Sequence, residues 1–174
     1  MTTAFTIWTL GHSNLPIEGF LERLERYEIA AIADVRRFPG SRRQPQYSKD
    51  VFPSSLTEHG ITYRWFEALG GRRRPSPESS NTAWRNTSFR GYADYMGTEE
   101  FQCAVEQLLE FAREQRTALM CAEVLWWRCH RALVSDVLRL RGVRVIHILD
   151  LGKTVEHPFT SPARVVEGQL TYSA

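Results

Sequence analysis

Three consecutive segments near the start of the chain change hydrophobic period in an order few folds accommodate. Thr6-Ile-Trp-Thr-Leu-Gly11 is a short β-rich run ended by glycine. Residues 16–27 place Ile17, Phe20, Leu21 and Leu24 on one helical face, with Glu18 near the start and Arg26 near the end to suit the helix dipole. Ile29-Ala-Ala-Ile-Ala-Asp-Val35 is almost continuously apolar, as a strand covered on both faces must be. Strand, helix and buried strand in that order predict a right-handed parallel βαβ unit.

The alternation continues. Residues 49–59 read as a short helix stopped by Gly60, and residues 61–66 as a strand. Residues 70–90, dense in Gly, Pro, Ser, Asn and Arg, read mostly as loop. Thr98-Glu99-Glu100 opens a helix whose inner stripe is Phe101, Val105, Leu108 and Ala112. A buried strand at 118–121, a helix at 129–141 stopped by Gly142 and a strand at 143–148 follow. Residues 164–172 read as a further strand at a sheet edge. With 174 residues and a 43% apolar fraction, the chain fits one domain with a substantial core. The expectation is a single α/β domain over residues 1–174, its mainly parallel sheet carrying helices on both faces in a Rossmann-like, three-layer arrangement.

No window approaches the roughly eighteen uninterrupted apolar residues of a membrane helix. The N-terminus lacks the basic start and apolar run of a signal peptide. Three cysteines, an odd count in a chain of this size, argue against a disulfide framework, so a reducing cytoplasm is expected. The net charge of +2 hides an uneven distribution. Residues 36–92 hold ten arginines and one lysine against Asp50, Glu58, Glu67 and Glu78. Genomic base composition accounts for part of the arginine skew. Guanidinium is also the group that grips phosphate or carboxylate through two parallel hydrogen bonds, so an anionic small molecule or nucleotide is the expected partner.

In parallel sheets, ligands sit beyond the carboxyl ends of the strands. The unusual polar groups of this chain follow strand ends: His12-Ser13-Asn14 after the first, Asp34 to Arg37 after the second, Cys121-Ala-Glu123 after the fourth. Cys129-His130-Arg131 opens the next helix. His12 and Asp34 suit general acid–base work, or else a turn histidine and a loop-capping carboxylate. Glu123 would orient an arginine or a hydroxyl, or form a plain salt bridge. Cys129, in a first helical turn between Arg128 and Arg131, would have a stabilised thiolate, the making of a nucleophile. Its spacing with Leu133, Val137 and Leu140 fits core packing too. Six residues separate Cys121 from Arg128, so no C-x5-R phosphate loop is present. Cys121, Cys129, His130 and His12 would supply four zinc ligands, but Cys-x7-Cys-His is not a recurring zinc spacing. No cofactor is required by the sequence.

Five ordered blocks, TLGHSN, ADVRRFPGSRRQPQYS, ALGGRRRP, NTAWRNTSFRGYADYM and LMCAEVLWWRCHRALVSDVL, resemble the signature blocks of the domain-of-unknown-function family 488. The resemblance runs from about residue 6 to 172. It implies a compact α/β domain of bacterial and archaeal type and supplies no reaction.

The reading that results is an enzyme acting on a phosphate-bearing or nucleotide-like substrate at the strand carboxyl ends. His12, Asp34, Glu123 and Cys129 would supply the chemistry. Ser13, Arg36, Arg37, Arg43, Arg73, Arg90, Cys121, His130 and Arg131 would bind. Two alternatives stand beside it. One is a non-catalytic nucleic-acid-binding module, in which Trp84, Phe89, Tyr92 and Tyr95 interleave with Arg85 and Arg90. The other is a redox or metal-sensing protein built on Cys121 and Cys129.

Overall fold

The computed structural model describes residues 5–40 and 42–174. Six strands form one sheet: β1 (Thr6–Gly11), β2 (Ala31–Asp34), β3 (Thr62–Trp65), β4 (Thr117–Cys121), β5 (Arg144–Asp150) and β6 (Lys153–Glu156), in the order β3-β2-β4-β1-β5-β6. The first five are parallel, and β6 runs antiparallel along β5. The helices are α1 (Ile17–Arg26), α2 (Phe52–Glu58), α3 (Thr87–Met96), α4 (Glu99–Glu114) and α5 (Arg131–Leu140). The architecture is mixed α/β around a mainly parallel sheet.

Successive side chains leave a strand on opposite sides, and here they feed two separate clusters. Ile7, Leu119 and Val145 pack with Phe101, Val105 and Leu108 of α4 and Leu133 of α5. Leu10, Ile32 and Met120 pack with Phe20 and Leu24 of α1 and Phe52 and Leu56 of α2. α4 starts where Thr98 predicts it, because the Thr98 hydroxyl accepts the Phe101 N–H at 3.2 Å.

β1 sends the chain through α1 toward β2 and β3; β4 sends it through α5 toward β5. The order therefore reverses between β1 and β4, where Gly11 lies opposite Cys121. Such a reversal opens a crevice at the strand carboxyl ends. Beyond the register, His12 N–H bonds the Cys121 carbonyl and Ser13 N–H the Ala122 carbonyl, both at 2.9 Å. Gly11 is required there: a Cβ on it would sit 1.9 Å from the Glu123 carbonyl oxygen.

Three expectations need correction. The helix expected from residue 129 begins at Arg131, because Trp126–Arg128 closes a 3-10 turn and Cys129 is extended, at φ −130° and ψ 152°. Residues 87–90, read as loop, open α3. The Asn86 side chain accepts the Phe89 N–H at 3.1 Å, and Phe89, Tyr92 and Met96 share an inward face. Residues 164–172 are a hairpin, β7 (Arg164–Val166) and β8 (Gln169–Thr171), separate from the main sheet. The cause is local, since Glu167 and Gly168 both have positive φ, 52° and 76°, the pair a two-residue hairpin turn needs. The strand β6 had no expectation at all. Among the described residues, no helix is long and apolar enough to cross a membrane.

Candidate active site

The carboxyl end of β4 delivers Cys121, and the extended residue before α5 delivers Cys129. Their sulfurs lie 2.8 Å apart, and both thiols are free and buried. Three groups converge on Cys129. His130 Nδ1 lies 3.5 Å from its sulfur, and the Arg131 backbone N–H donates to it at 3.4 Å. The Arg131 guanidinium is the third, and its surroundings are unusual. It is 1% exposed, and no carboxylate pairs with it among the described residues. Its donors go to Thr9 Oγ1 and to the Glu123 and Val124 carbonyls, and its Nε has no partner. A buried guanidinium stays charged, and a buried charge needs compensation.

The sulfurs supply it. Burial pushes the Cys129 thiol up, but the hydrogen bond from Cys121 and the positive charges of His130 and Arg131 outweigh burial and bring it well below an ordinary cysteine. Burial and that same bond hold Cys121 well above, so Cys121 keeps its hydrogen. Burial opposes protonation of His130, and the neighbouring thiolate overrides it, leaving His130 above the usual histidine value. These directions favour Cys129 as a thiolate and His130 as its imidazolium partner, with Cys121 as the thiol beside them.

Both sulfurs line a cleft of about 370 Å³. Arg37, Arg72 and Arg128 stand on its rim, and Phe38 and Phe89 form its apolar lining. Phe38 is 62% exposed, with the Arg37 guanidinium 5.5 Å and the Arg72 guanidinium 5.8 Å from its ring centre. Arg72 has φ 59°, a left-handed conformation uncommon outside glycine. Arg37 is tied to the 72 segment through the Arg72 carbonyl at 2.6 Å. Gly71 leaves room for His130, since a Cβ would meet its Nδ1 at 2.9 Å.

Asp34 is fully buried and its oxygens are saturated. Oδ1 accepts Arg36 N–H and Nε–H, and Oδ2 accepts Arg36 at 2.7 Å and the Tyr63 hydroxyl at 2.6 Å. Asp34 thus holds Arg36, which lines the cleft floor. His12 lies behind Arg36, with Nε2 3.4 Å from that guanidinium and Nδ1 donating to the Ser13 carbonyl at 2.8 Å. Burial first, and Arg36 with it, lower His12 to about 4. His12, Asp34 and Ser13 are absent from the cleft lining, and Ser13 instead borders a small cavity of about 110 Å³.

Glu123 is exposed at the cleft edge, its carboxylate accepting the Leu125 N–H. Arg73 stacks on Tyr95 at 3.7 Å and Arg90 bonds the Trp84 carbonyl; both are away from the cleft, and Arg43 is exposed. Trp84 packs edge-on against Phe89 and lies 5.8 Å from Tyr172, so these aromatics are largely internal. Of the four residues weighed as zinc ligands, Cys121, Cys129 and His130 adjoin one another and His12 does not join them. His130 Nε2 is engaged by the Val35 carbonyl, and His12 stacks on Tyr47. Among the described residues, no group of three or more His, Cys, Asp or Glu side chains gathers where it could hold a metal.

Sequence reasoning missed Phe38 and Ser88 on the cleft and the chain of side chains behind Arg131. Phe89, Tyr92 and Met96 at helical spacing after Asn86 were the available signal for α3 and hence for Ser88. From Arg131, Thr9 Oγ1 lies 2.5 Å from His147 Nδ1, His147 Nε2 lies 2.9 Å from His157 Nδ1, and His157 Nε2 donates to Asp136 at 2.8 Å. Every member is 1% exposed or less. Trp126, from the loop carrying Cys129, stacks on His147 at 4.5 Å. Burial, then His157 and Arg131, lower His147 to about 2, so it is neutral.

Fold and site together define an α/β protein with a paired-thiol cleft at the switch point of a parallel sheet. The family model described as "Domain of unknown function DUF488" matches residues 16–138, most of the chain, and the protein belongs to that family. No curated protein and no solved structure matches the chain.

Proposed function

We propose that the protein is an enzyme acting on a small phosphate-bearing or nucleotide-like substrate, with Cys129 as nucleophile. The observation that carries this reading is the Cys129 sulfur on a cleft lined by cations, with His130 Nδ1 at 3.5 Å and the Arg131 N–H donating to it at 3.4 Å. Among the described residues Arg37, Arg72 and Arg128 make no ion pair, and the Arg37 hydrogen bonds go to backbone carbonyls, so their charge is available to an anion. Phe38 and Phe89 offer apolar faces on which a base or ring can lie. The thiolate then attacks the electrophilic atom of the held substrate, and the His130 imidazolium gives its proton to the leaving group. Glu123, at the cleft edge, is the carboxylate positioned to activate water for the second half-reaction.

The wider setting of this reading is a single domain of three-layer, Rossmann-like build in a reducing cytoplasm. Two clusters, one fed by α1 and α2 and the other by α4 and α5, support the layering. An oligonucleotide would use the same cations, but the aromatics expected to stack bases are packed in contacting pairs, Trp84 with Phe89 and Tyr92 with Tyr95.

The test is turnover and thermal-shift binding of a panel of nucleotides and sugar phosphates by wild type and by Cys129→Ser. Wild type should turn over at least one member, and Cys129→Ser should bind it without turnover. Normal turnover by Cys129→Ser sinks the nucleophile. Stabilisation by oligonucleotides but by no small phosphate favours the binding-module reading instead.

A further inference from the structure

A nucleophile needs one cysteine, yet the cleft presents two whose sulfurs lie 2.8 Å apart. Forming a disulfide asks only that the sulfurs approach by about 0.8 Å, to the ordinary bond length of about 2.05 Å. The two thiols differ in kind. Cys129 faces His130 and accepts the Arg131 N–H; Cys121 adjoins Cys129 and the Glu123 carbonyl, and the Arg131 guanidinium acts on both sulfurs. One is built to attack, the other to follow. Cys103 is exposed on α4, outside the cleft lining, and provides an internal control.

We propose that Cys129 and Cys121 form a peroxidatic and resolving pair that reduces hydroperoxides and, in doing so, closes a reversible disulfide across the floor of the cleft. This rests on the same Cys129 thiolate as the proposed function and adds a substrate class. The Cys129 sulfur attacks the terminal oxygen of a hydroperoxide. A sulfur–oxygen bond forms as the oxygen–oxygen bond breaks, and the departing alkoxide takes the His130 proton and leaves as an alcohol, or as water from hydrogen peroxide. Cys129 is now a sulfenic acid, oxidised by two electrons. The Cys121 sulfur attacks it, the sulfur–sulfur bond forms, and hydroxide departs with the Cys121 proton as water. Two molecules of a small thiol reset the pair by successive exchanges, through a mixed disulfide, and leave as their own disulfide.

Charge gives the disulfide its character. Reduction restores the thiolate that His130 and Arg131 stabilise, and oxidation leaves the buried Arg131 with no anion beside it. Stabilising the reduced form makes a disulfide more oxidising, so this one is reduced readily by a monothiol. While it is closed, the nucleophile is blocked, and the substrate chemistry of the cleft is off.

The experiment treats fully reduced full-length protein with one equivalent of hydrogen peroxide, followed by intact-mass and non-reducing peptide analysis. Alkylation of Cys129 by iodoacetamide across pH is measured in parallel. Wild type should lose two hydrogens, show a Cys121–Cys129 linked peptide, keep Cys103 alkylatable, and recover on adding glutathione. Cys121→Ser should gain oxygen on Cys129, trappable as the sulfenic acid by dimedone. Cys129→Ser should do neither at neutral pH. Three free thiols remaining in wild type, or a linkage through Cys103, overturns the inference. If Cys129 still alkylates as a low-pH thiolate in that case, only the redox step is lost. If it does not, the nucleophile of the proposed function falls with it.

Discussion

His130 is fastened at its far nitrogen to the backbone just past β2. Nε2 lies 2.7 Å from the Val35 carbonyl oxygen, so Nε2 carries a hydrogen and Nδ1 is turned to the Cys129 sulfur at 3.5 Å. A carbonyl therefore sets the orientation of the ring that sets the charge of the thiol. His130→Gln keeps a donor and removes the positive charge. Loss of an opposite charge this close raises the thiol, so alkylation of Cys129 should slow on the acid side of its profile. The pH profile of iodoacetamide alkylation checks this: the curve should move to higher pH. An unmoved curve means His130 only packs.

Asp136 holds the C-terminal segment from inside α5. Its oxygens accept the Thr160 N–H at 2.9 Å, the Tyr172 hydroxyl at 2.8 Å, the Thr160 hydroxyl at 2.5 Å and His157 Nε2 at 2.8 Å. Asp136→Asn points an amide donor at groups that are themselves donors. The expected loss is about 3 kcal/mol of stability, the scale of a broken buried network. Urea unfolding should show it, and limited proteolysis should cut within residues 157–172 before the rest of the chain.

Acid should destabilise the fold through two buried neutral histidines. His12 is lowered from 6.5 to about 4 and His147 from 6.5 to about 2. The unfolded chain takes up protons at these positions from about pH 6.5 downward, whereas the native state does not. Stability from this source is whole above 6.5 and falls as pH falls, by roughly 1.4 kcal/mol per pH unit for each histidine. The contribution of His12 is exhausted near pH 4, and that of His147 continues below. Urea midpoints at pH 7, 6 and 5 measure the slope. His147→Asn should be less stable at pH 7 and show a flatter slope; an unchanged slope contradicts the assignment.

Gly11→Ala should be severe for a residue so small. The added carbon would lie 1.9 Å from the Glu123 carbonyl oxygen and 2.7 Å from the Val124 nitrogen, both backbone atoms that cannot rotate away. The loop after β4 must shift, at a cost of about 3 kcal/mol. The same loop's carbonyls hold the Arg131 guanidinium, so Cys129 alkylation at pH 6 should also fall. Calorimetry and the alkylation assay read the two effects separately.

Hydrophobic period alone marks β1, α1, β2, α4, β4 and β5, because each buries a face or both faces and its pattern repeats locally. α3 had its own signal, Phe89, Tyr92 and Met96 after Asn86, but it lies beside a long polar stretch that reads as loop. β6 carries none, since all four of its residues are exposed and only pairing with β5 makes it a strand. The gathering of Gly11, Asp34, Arg36 and Cys121 at one rim was legible, because in a parallel sheet every carboxyl end points the same way. Which of them share a cavity was not.

The sequence by itself determined a parallel α/β chain whose reactive side chains follow strand ends, since local periodicity and chain direction are enough for that. Tertiary structure alone decided the chemistry of those side chains. Asp34 became the clamp on Arg36 once Tyr63, 29 residues away, completed its bonds. Cys129 left the helix expected to contain it and came to rest against Cys121. Arg131 joined a chain of Thr9, His147, His157 and Asp136 that no spacing announces. The physical reason is common to all three. Burial, opposing charge and hydrogen-bond partners set whether a side chain is a base, a thiolate or a strut, and those neighbours are assembled from segments far apart in sequence.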